Sequence, residues 1–181
     1  MLKLVKNCCI HIKSLFLPMM LKFKYLILLV CLIGCFAACN KNEAFETYDP
    51  LPQFAADTTA IRAFIKTNNI PAIKDPSGVF YQVIEPGTGS VAYTTNTQIT
   101  ADYEGRLLNG TIFDASKGTP ITFALGRVIA GWQIGIQKIQ KGGKIRLIIP
   151  SYYAYGNRAQ GASIPANAIL DFNITLTEVT N

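Results

Sequence analysis

Residues that commonly perform covalent or metal chemistry are confined to the beginning of this chain. All five cysteines and the single histidine lie within the first 39 residues. They are Cys8, Cys9, His11, Cys31, Cys35 and Cys39. A zinc site, a histidine-based triad and a disulfide in the rest of the chain therefore lack their groups, and the sequence predicts no metal and no cofactor.

The first 39 residues have the pattern of a signal peptide. Lys22 and Lys24 precede an apolar run from Tyr25 to Ala38, which is a charged region followed by a hydrophobic one. The run is shorter than the ~20 residues of a membrane-spanning helix, which favours cleavage over an uncleaved anchor. Met19 or Met20 would start a signal of more ordinary length.

The end of this run resembles the lipobox of bacterial lipoproteins, in which a cysteine thiol receives a lipid. Phe36-Ala-Ala-Cys39 and Leu32-Ile-Gly-Cys35 both fit. Polar Asn40-Lys41-Asn42-Glu43 directly follows Cys39, so we favour Cys39 and keep Cys35 as the alternative. The expected location is the bacterial cell envelope, lipid-anchored to a membrane on its periplasmic side or at the cell surface.

The positive charge belongs mostly to this leader. The chain has 17 basic and 11 acidic residues, and five of the lysines lie before Tyr25. The remainder is close to neutral and shows no basic stripe with interleaved aromatic residues, so we expect no nucleic-acid partner. The length of 181 residues fits one domain plus an appendage.

After the cysteine, the pattern predicts a tether, one short helix and then a sheet. Residues 40–56 carry two prolines and no periodicity. A helix over residues 57–69 is predicted, with Asp57 as its N-cap and Ile61, Phe64 and Ile65 on its apolar face. Tether and helix together occupy residues 40–74.

The remaining elements are mostly strands. Predicted strands are 79–84, 99–108, 111–113, 121–124, 144–149 and 169–179, and a helix is predicted over 131–139. Asn109-Gly110 supplies the positive φ angles of a tight hairpin turn. In the last strand Leu170 and Phe172 alternate with Asp171 and Asn173, which predicts one buried and one wet face. The class is α+β with an antiparallel sheet.

Six short motifs occur in order along this region. They are Tyr103-Glu-Gly, Gly110-Thr-Ile-Phe-Asp-Ala-Ser116, Leu125-Gly-Arg-Val-Ile-Ala-Gly-Trp132, Ala154-Tyr-Gly156, Ile164-Pro165 and Leu170-Asp-Phe172. Together they resemble the signature of FKBP-type peptidyl-prolyl cis/trans isomerases. The resemblance implies an FKBP-like domain at residues 75–181, an antiparallel sheet wrapped around one short α-helix.

The resemblance also implies a proline pocket between sheet and helix, with Trp132 as its floor. The implied substrate-binding residues are Phe113, Ile121, Val128, Ile129, Trp132, Ile164 and Phe172. The implied catalytic residues are Asp114, Tyr155 and Tyr103. Without the resemblance, the aromatic residues would be interpreted as ordinary core, Asp114 as a turn-capping residue and Tyr155 as an ordinary buried tyrosine.

The implied reaction suits such residues. Rotation about an X-Pro bond breaks amide resonance over a barrier of ~18–20 kcal/mol and makes or breaks no covalent bond. Twisting reduces the charge separation of the amide, so a dry apolar pocket favours the twisted state. By the resemblance, the Tyr155 hydroxyl and the Ile129 N–H hold substrate carbonyls. Asp114 either polarises the surroundings of the twisting carbonyl or fixes Tyr103; we favour the second role, because a carboxylate repels a carbonyl oxygen.

This sequence departs from the family pattern at the pocket. Ile121 stands where many members carry phenylalanine, the loop at 126–128 is shorter than in small eukaryotic members, and Gln160 replaces a histidine. These changes leave the affinity for macrolide ligands open. The expected partners are proline-containing unfolded or partly folded polypeptides, and the expected state is a monomer. A holdase that grips unfolded chains without turnover is the alternative.

Overall fold

The computed structural model, which describes residues 48–181, contains a seven-stranded antiparallel sheet and two α-helices. In chain order the elements are α1 (Leu51–Thr67), β1 (Ile73–Lys74), β2 (Phe80–Glu85), β3 (Gln98–Leu107), β4 (Ile112–Ala115), β5 (Ile121–Ala124), α2 (Ala130–Ile136), β6 (Lys144–Ile149) and β7 (Leu170–Thr180). Two 3-10 turns, Leu125–Arg127 and Ser151–Tyr153, precede α2 and follow β6. This is the predicted α+β class with an antiparallel sheet.

The two longest strands lie side by side in the middle of the sheet. The strand order is β1-β2-β6-β7-β3-β4, and β5 pairs with β3 beyond the end of β4. The β3–β7 pairing places Gly105 opposite Phe172 and Tyr103 opposite Ile174. Motifs far apart in the sequence are therefore adjacent in the sheet.

Alternate residues of these strands form the main core, on the face that α2 covers. Its fully buried members include Ile99, Ala101, Ile145, Leu147, Ile149, Leu170 and Leu176. Burying one such aliphatic side chain contributes roughly 1.5–3 kcal/mol. This cluster is consequently a main source of the domain's stability.

Two glycines of α2 bring the helix close to β6. A Cβ at Gly135 would lie 2.3 Å from Leu147 Cδ2, and one at Gly131 would lie 2.4 Å from Ile149 Cγ2. Only the absence of a side chain allows this approach. Because Trp132 follows Gly131 directly, the close packing also fixes the height of its indole above the sheet.

The first helix begins earlier than predicted. It runs over 17 residues from Leu51, with Pro50 as its N-cap and Pro52 in its first turn. Proline is tolerated there because the first N–H groups of a helix have no intrahelical acceptor. The assignment of residues 51–56 to the tether was therefore wrong, and Asp57 is a buried residue of the helix interior, not its N-cap.

Helix α1 packs on the face of the sheet opposite to α2. Ile61 of α1 is fully buried and joins Ile70, Phe80 and Ile148 in a second apolar cluster. Residues 49–181 accordingly form one compact unit. The helical extension belongs to this unit and is not a separate spacer.

This packing changes the predicted wet face of the last strand. Asp171 is only 6% exposed and accepts two hydrogen bonds from Arg146, at 2.9 Å from Nε and 2.6 Å from Nη2. The Arg146 guanidinium also lies 5.9 Å from the centre of the Phe64 ring of α1. The outer face is thus covered at this end, and the buried charges are paired as burial requires.

The β3–β4 hairpin has a different turn from the predicted one. Gly110 has φ +87°, whereas Asn109 does not have a positive φ. The Gly110 N–H donates to the Leu107 carbonyl at 2.9 Å, and the Leu107 N–H donates to the Thr111 carbonyl at 2.9 Å. These bonds define a three-residue loop in which only the glycine needs the left-handed conformation. The hairpin itself is as predicted.

No helix among residues 48–181 is long and apolar enough to cross a membrane. The predicted signal peptide and both candidate lipidation cysteines, Cys39 and Cys35, lie outside the described residues.

Candidate active site

An aromatic cleft of about 280 Å³ opens between α2 and the inner face of the sheet. Its lining combines aromatic and aliphatic side chains with one acid and one base. The lining residues are Tyr103, Asp114, Phe123, Arg127, Val128, Ile129, Trp132, Tyr155 and Phe172. They come from β3, β4, β5, β7, α2 and the loops before α2 and after β6, so only the complete fold assembles the cleft.

Trp132 forms the floor of the cleft. It is 4% exposed, and its ring meets Tyr103, Phe123 and Phe172 edge to face, with centroid distances of 5.4, 5.9 and 5.3 Å. Perpendicular rings at this spacing attract one another through their quadrupoles. The indole Nε1 is buried and has no hydrogen-bond acceptor within residues 48–181. The floor is therefore aromatic and held by neighbouring rings.

Gly105 leaves room for one wall of the cleft. A Cβ at this position would lie 2.6 Å from Phe113 Cζ and 2.6 Å from Phe172 Cε1. The Phe113 and Phe172 rings meet edge to face at 5.4 Å over this gap. Phe113 thus supports the wall residue Phe172 from behind.

Tyr103 and Asp114 form a hydrogen-bonded pair at the rim. The Tyr103 hydroxyl donates to Asp114 Oδ2 at 2.7 Å. Burial raises the pKa of Tyr103 well above its ordinary value, and the bond to Asp114 raises it further. Tyr103 therefore stays protonated and remains a donor at neutral pH.

The strand that carries Asp114 is fixed to β3 by Ser116. The Tyr103 N–H donates to Ser116 Oγ at 2.8 Å, and the Ser116 N–H donates to the Tyr103 carbonyl at 3.0 Å. The Ser116 hydroxyl also bonds to the carboxylate of Asp102. These contacts set the register that brings Asp114 to the Tyr103 hydroxyl.

Two hydrogen-bond donors at the opening have no acceptor within residues 48–181. The Tyr155 side chain is 37% exposed, and its hydroxyl makes no hydrogen bond in that part of the chain. The same holds for the backbone N–H of Ile129, the N-cap of α2. Gln133 Nε2 donates to the Val128 carbonyl at 2.8 Å and steadies this entry loop. Both free donors are available to a ligand's carbonyl groups.

Seven of the sequence-predicted site residues line the cleft together: Tyr103, Asp114, Val128, Ile129, Trp132, Tyr155 and Phe172. Three others lie elsewhere. Phe113 lies behind the wall, Ile164 is 7% exposed within the main core, and Ile121 is 41% exposed at the start of β5, opposite Ala101. The structure does not place these three among the lining residues.

Phe123 and Arg127 are lining residues that the sequence interpretation missed. Phe123 lies two residues after Ile121, on the same face of β5, and its ring meets Tyr103 at 5.9 Å. The two-residue period of a strand already indicates both residues. Phe123 therefore supplies an aromatic ring on this side of the cleft. Arg127 gave no periodic signal because it lies in a short 3-10 turn.

A second and larger cleft, of about 360 Å³, is polar. Its carboxylates already have partners: Asp102 accepts from the Ser116 hydroxyl and the Gly118 N–H, and Glu104 pairs with Arg106. Residues 48–181 contain no group of three or more His, Cys, Asp or Glu that could hold a metal ion. The aromatic cleft is therefore the candidate active site.

Comparison with known proteins agrees with this geometry. The model of the FKBP-type peptidyl-prolyl cis-trans isomerase family matches residues 89–177. The crystal structure of a peptidyl-prolyl cis-trans isomerase from Pseudomonas syringae pv. tomato is 35% identical, with a TM-score of 0.60, over 70% of this chain and 96% of that one. The chain belongs to the FKBP-type peptidyl-prolyl cis-trans isomerase family.

Longer members of the family are also similar. The FKBP-type isomerase FkpA of Buchnera aphidicola subsp. Schizaphis graminum is 47% identical over 110 residues, which cover 60% of this chain and 43% of that protein. The crystal structure of FkpA from Escherichia coli has a TM-score of 0.58 and 32% identity over 84% of this chain and 71% of that one. The matched segment spans less than half the length of the first curated relatives.

Proposed function

We propose that this protein is a peptidyl-prolyl cis/trans isomerase that acts in the aromatic cleft. The observation that carries the proposal is the aromatic floor of Trp132 beneath a rim with two hydrogen-bond donors that have no acceptor among residues 48–181. The relatives' names describe the same activity. Their substrates are the class expected here, polypeptides with X-Pro bonds.

The cleft favours the transition state by its polarity. A planar amide carries the charge separation of resonance, and a twisted one loses much of it. Moving the prolyl bond from water onto the rings of Trp132, Phe172 and Phe123 therefore costs the twisted state less than the planar states. Each tenfold in rate requires about 1.4 kcal/mol of such differential binding. Several apolar contacts together supply this without a nucleophile or metal.

The rim orients the peptide. The Tyr155 hydroxyl and the Ile129 N–H donate to substrate carbonyls on either side of the proline ring. Asp114 does not contact the reacting carbonyl in this mechanism; it accepts from Tyr103 and holds the Tyr103 ring against Trp132. This division of roles avoids placing a negative carboxylate against a carbonyl oxygen.

The proposed setting is the cell envelope. The signal-peptide pattern and the cysteine motifs support a lipid anchor at Cys39, with Cys35 as the alternative. The clients would then be secreted or envelope proteins with slow prolyl steps. We further propose that the protein is a monomer and that the cleft is the site at which macrolide ligands bind.

The first experiment measures refolding of a proline-limited test protein with catalytic amounts of the full chain in mild detergent. We expect the slow phase to accelerate in proportion to enzyme concentration. Tyr155→Phe and Asp114→Ala should weaken the acceleration, whereas the control Val83→Ala, on β2 away from the cleft, should not. Folding of every variant is checked by circular dichroism.

One result would replace this proposal. If the folded wild-type chain leaves the slow phase unchanged but suppresses aggregation of the test protein, the cleft functions as a holdase site. Competition by a macrolide would report whether the cleft is the surface involved in either case.

A further inference from the structure

A buried carboxylate connects the N-terminal helix to the loop that carries Tyr155. Asp57 of α1 is 2% exposed, and Ser151, just after β6, is 1% exposed. Asp57 Oδ2 accepts from the Ser151 N–H at 2.8 Å and from the Ser151 hydroxyl at 2.6 Å. Asp57 Oδ1 accepts from Gln53 Nε2 at 2.7 Å. The carboxylate therefore holds Ser151 by both of its donors.

Ser151 in turn fixes the loop on both sides of Tyr155. Its carbonyl accepts from the Ala154 N–H at 2.9 Å and from the Gly156 N–H at 2.8 Å. The Tyr155 side chain extends from the residue between these two bonds to the rim of the cleft. The contacts form a continuous chain from Asp57 through Ser151 to Tyr155.

Aromatic contacts hold the same segment from α1. The Phe54 ring meets Tyr152 and Tyr153 at 5.8 and 5.9 Å. The Tyr153 hydroxyl donates to the Ser77 carbonyl at 2.9 Å. The segment between Ser151 and Tyr155 is thus attached to α1 by ring contacts as well as by the Asp57 carboxylate.

The choice of residue at position 57 favours a positional role. No Lys, Arg or His lies within 4 Å of the Asp57 carboxylate among residues 48–181. A buried carboxylate without a cation is costly, and an apolar residue such as Ile61 supplies helix packing without that cost. What the carboxylate adds is a directional contact that fixes Ser151.

We propose that Asp57 is a positioning residue for the isomerase site, which sets the place of the Tyr155 hydroxyl through Ser151. If so, helix α1 is part of the catalytic unit, although it lies on the opposite face of the sheet from α2. The expected effect on catalysis rests on the proposed function. The expected effect on the position of Tyr155 rests only on the contacts described above.

The test is a double-mutant cycle with the full chain in mild detergent. The readout is kcat/KM per folded molecule for a short X-Pro peptide, with cis and trans forms followed by NMR exchange. We expect Asp57→Ala to lower kcat/KM five- to tenfold in the wild-type background and less than twofold in Tyr155→Phe. Asp57→Asn keeps an oxygen acceptor and should recover at least half of the lost activity.

The matched control is Ile61→Val, which loosens the same helix without touching Ser151. It should leave kcat/KM unchanged while lowering the melting temperature. Equal losses from Asp57→Ala in both backgrounds, or no loss beyond that of Ile61→Val, would overturn the proposal. If Asp57→Ala does not fold, Ser151→Ala, which removes only the hydroxyl contact, replaces it in the same cycle.

A second readout separates this inference from the activity itself. The ring NMR signals of Tyr155 should shift or broaden in Asp57→Ala and stay in place in Ile61→Val. An inactive wild-type chain would refute the proposed function, while the Tyr155 signals would still decide the positional role. Unchanged Tyr155 signals in Asp57→Ala would refute that role.

Discussion

The Tyr103 hydroxyl lies 2.7 Å from Asp114 Oδ2 across the β3–β4 pair, so the floor and the rim of the cleft are connected through a single side chain. The ring of Tyr103 packs against Trp132, and its hydroxyl reaches the exposed carboxylate. Loss of this hydrogen bond, through removal of the Tyr103 hydroxyl or the Asp114 carboxylate, should therefore disturb the floor while every lining ring stays in place.

Tyr103→Phe tests this relationship directly. A hydrogen bond to a charged group contributes roughly 1.5–3 kcal/mol to stability. Only the part of this energy that stabilises the twisted transition state more than the planar substrate changes the rate. We expect a three- to tenfold loss of kcat/KM, measured with an X-Pro peptide, and a similar loss in Asp114→Ala. The double variant should be no worse than either single one, because both remove the same bond. Additive losses would show that Asp114 acts on the substrate independently.

Phe123 and Ile121 form a matched pair of substitutions in one strand. Phe123→Ala removes a lining ring and leaves Trp132 partly uncovered, so we expect at least a tenfold loss of kcat/KM. Ile121→Ala truncates an exposed side chain outside the lining, and should cost less than twofold. The single tryptophan provides a parallel readout, since quenching of Trp132 fluorescence by bound peptide should weaken only in Phe123→Ala. A large effect of Ile121→Ala on activity would contradict the position of the wall.

Arg127 predicts a charge preference among substrates. Its side chain lines the cleft, is exposed and forms no ion pair within residues 48–181. Exposed charge pairs contribute roughly 0.2–1 kcal/mol, so a peptide with glutamate beside the proline should react about two- to fivefold better than one with lysine. The preference should shrink in high salt and reverse in Arg127→Glu. If neither Arg127→Glu nor high salt changes the ratio of the rates for the two peptides, the charge preference comes from other residues.

Acid should remove the contribution of one ion pair. The Lys138 ammonium bonds to Asp75 Oδ2 at 2.7 Å and, with the Ser77 N–H, lowers the pKa of Asp75 from 3.8 to about 2. Since the folded pKa is the lower one, this stability is present above about pH 4 and is lost as the pH falls toward 2. Lys138 is one-third exposed, so solvent screening limits the contribution to about 1 kcal/mol.

The check is the free energy of urea unfolding as a function of pH. Wild type should lose stability relative to Asp75→Asn as the pH falls from 4 through 2, and the pH-dependent part of their difference should disappear below pH 2. A difference that stays constant across this range would assign the effect of the variant to packing.

Runs of strand length between turn signals, together with the alternation in the last strand, were sufficient to locate most of the sheet. The strand at 144–149 has the predicted bounds, and those of β3 and β7 differ from prediction by one residue at each end. In α1, local rules misled: Pro50 and Pro52 resemble helix breakers, and Asp57 resembles an N-cap. The partner of the buried Asp57 carboxylate is Ser151, 94 residues later in the chain. A local sequence pattern cannot predict a contact over that distance.

The site was predictable to the extent that motifs specify it. Seven of the expected residues line the cleft, since the family resemblance supplies what spacing alone does not. Ile121 was misplaced because a motif match gives a position along the strand but not the depth of a side chain beneath its neighbours. Ile121 is the first residue of β5 and pairs with Ala101, and at this end of the strand its side chain stays exposed.

The position of β7 has a consequence for how the protein matures. It is the last strand of the chain, yet it lies between β6 and β3 and carries Phe172. Such non-local pairing slows folding, because segments far apart in the sequence must meet before they form a contact. Without β7 the sheet has no central strand, and the cleft lacks Phe172. A chain truncated before Leu170 should therefore lose both the stability of the sheet and one wall of the cleft.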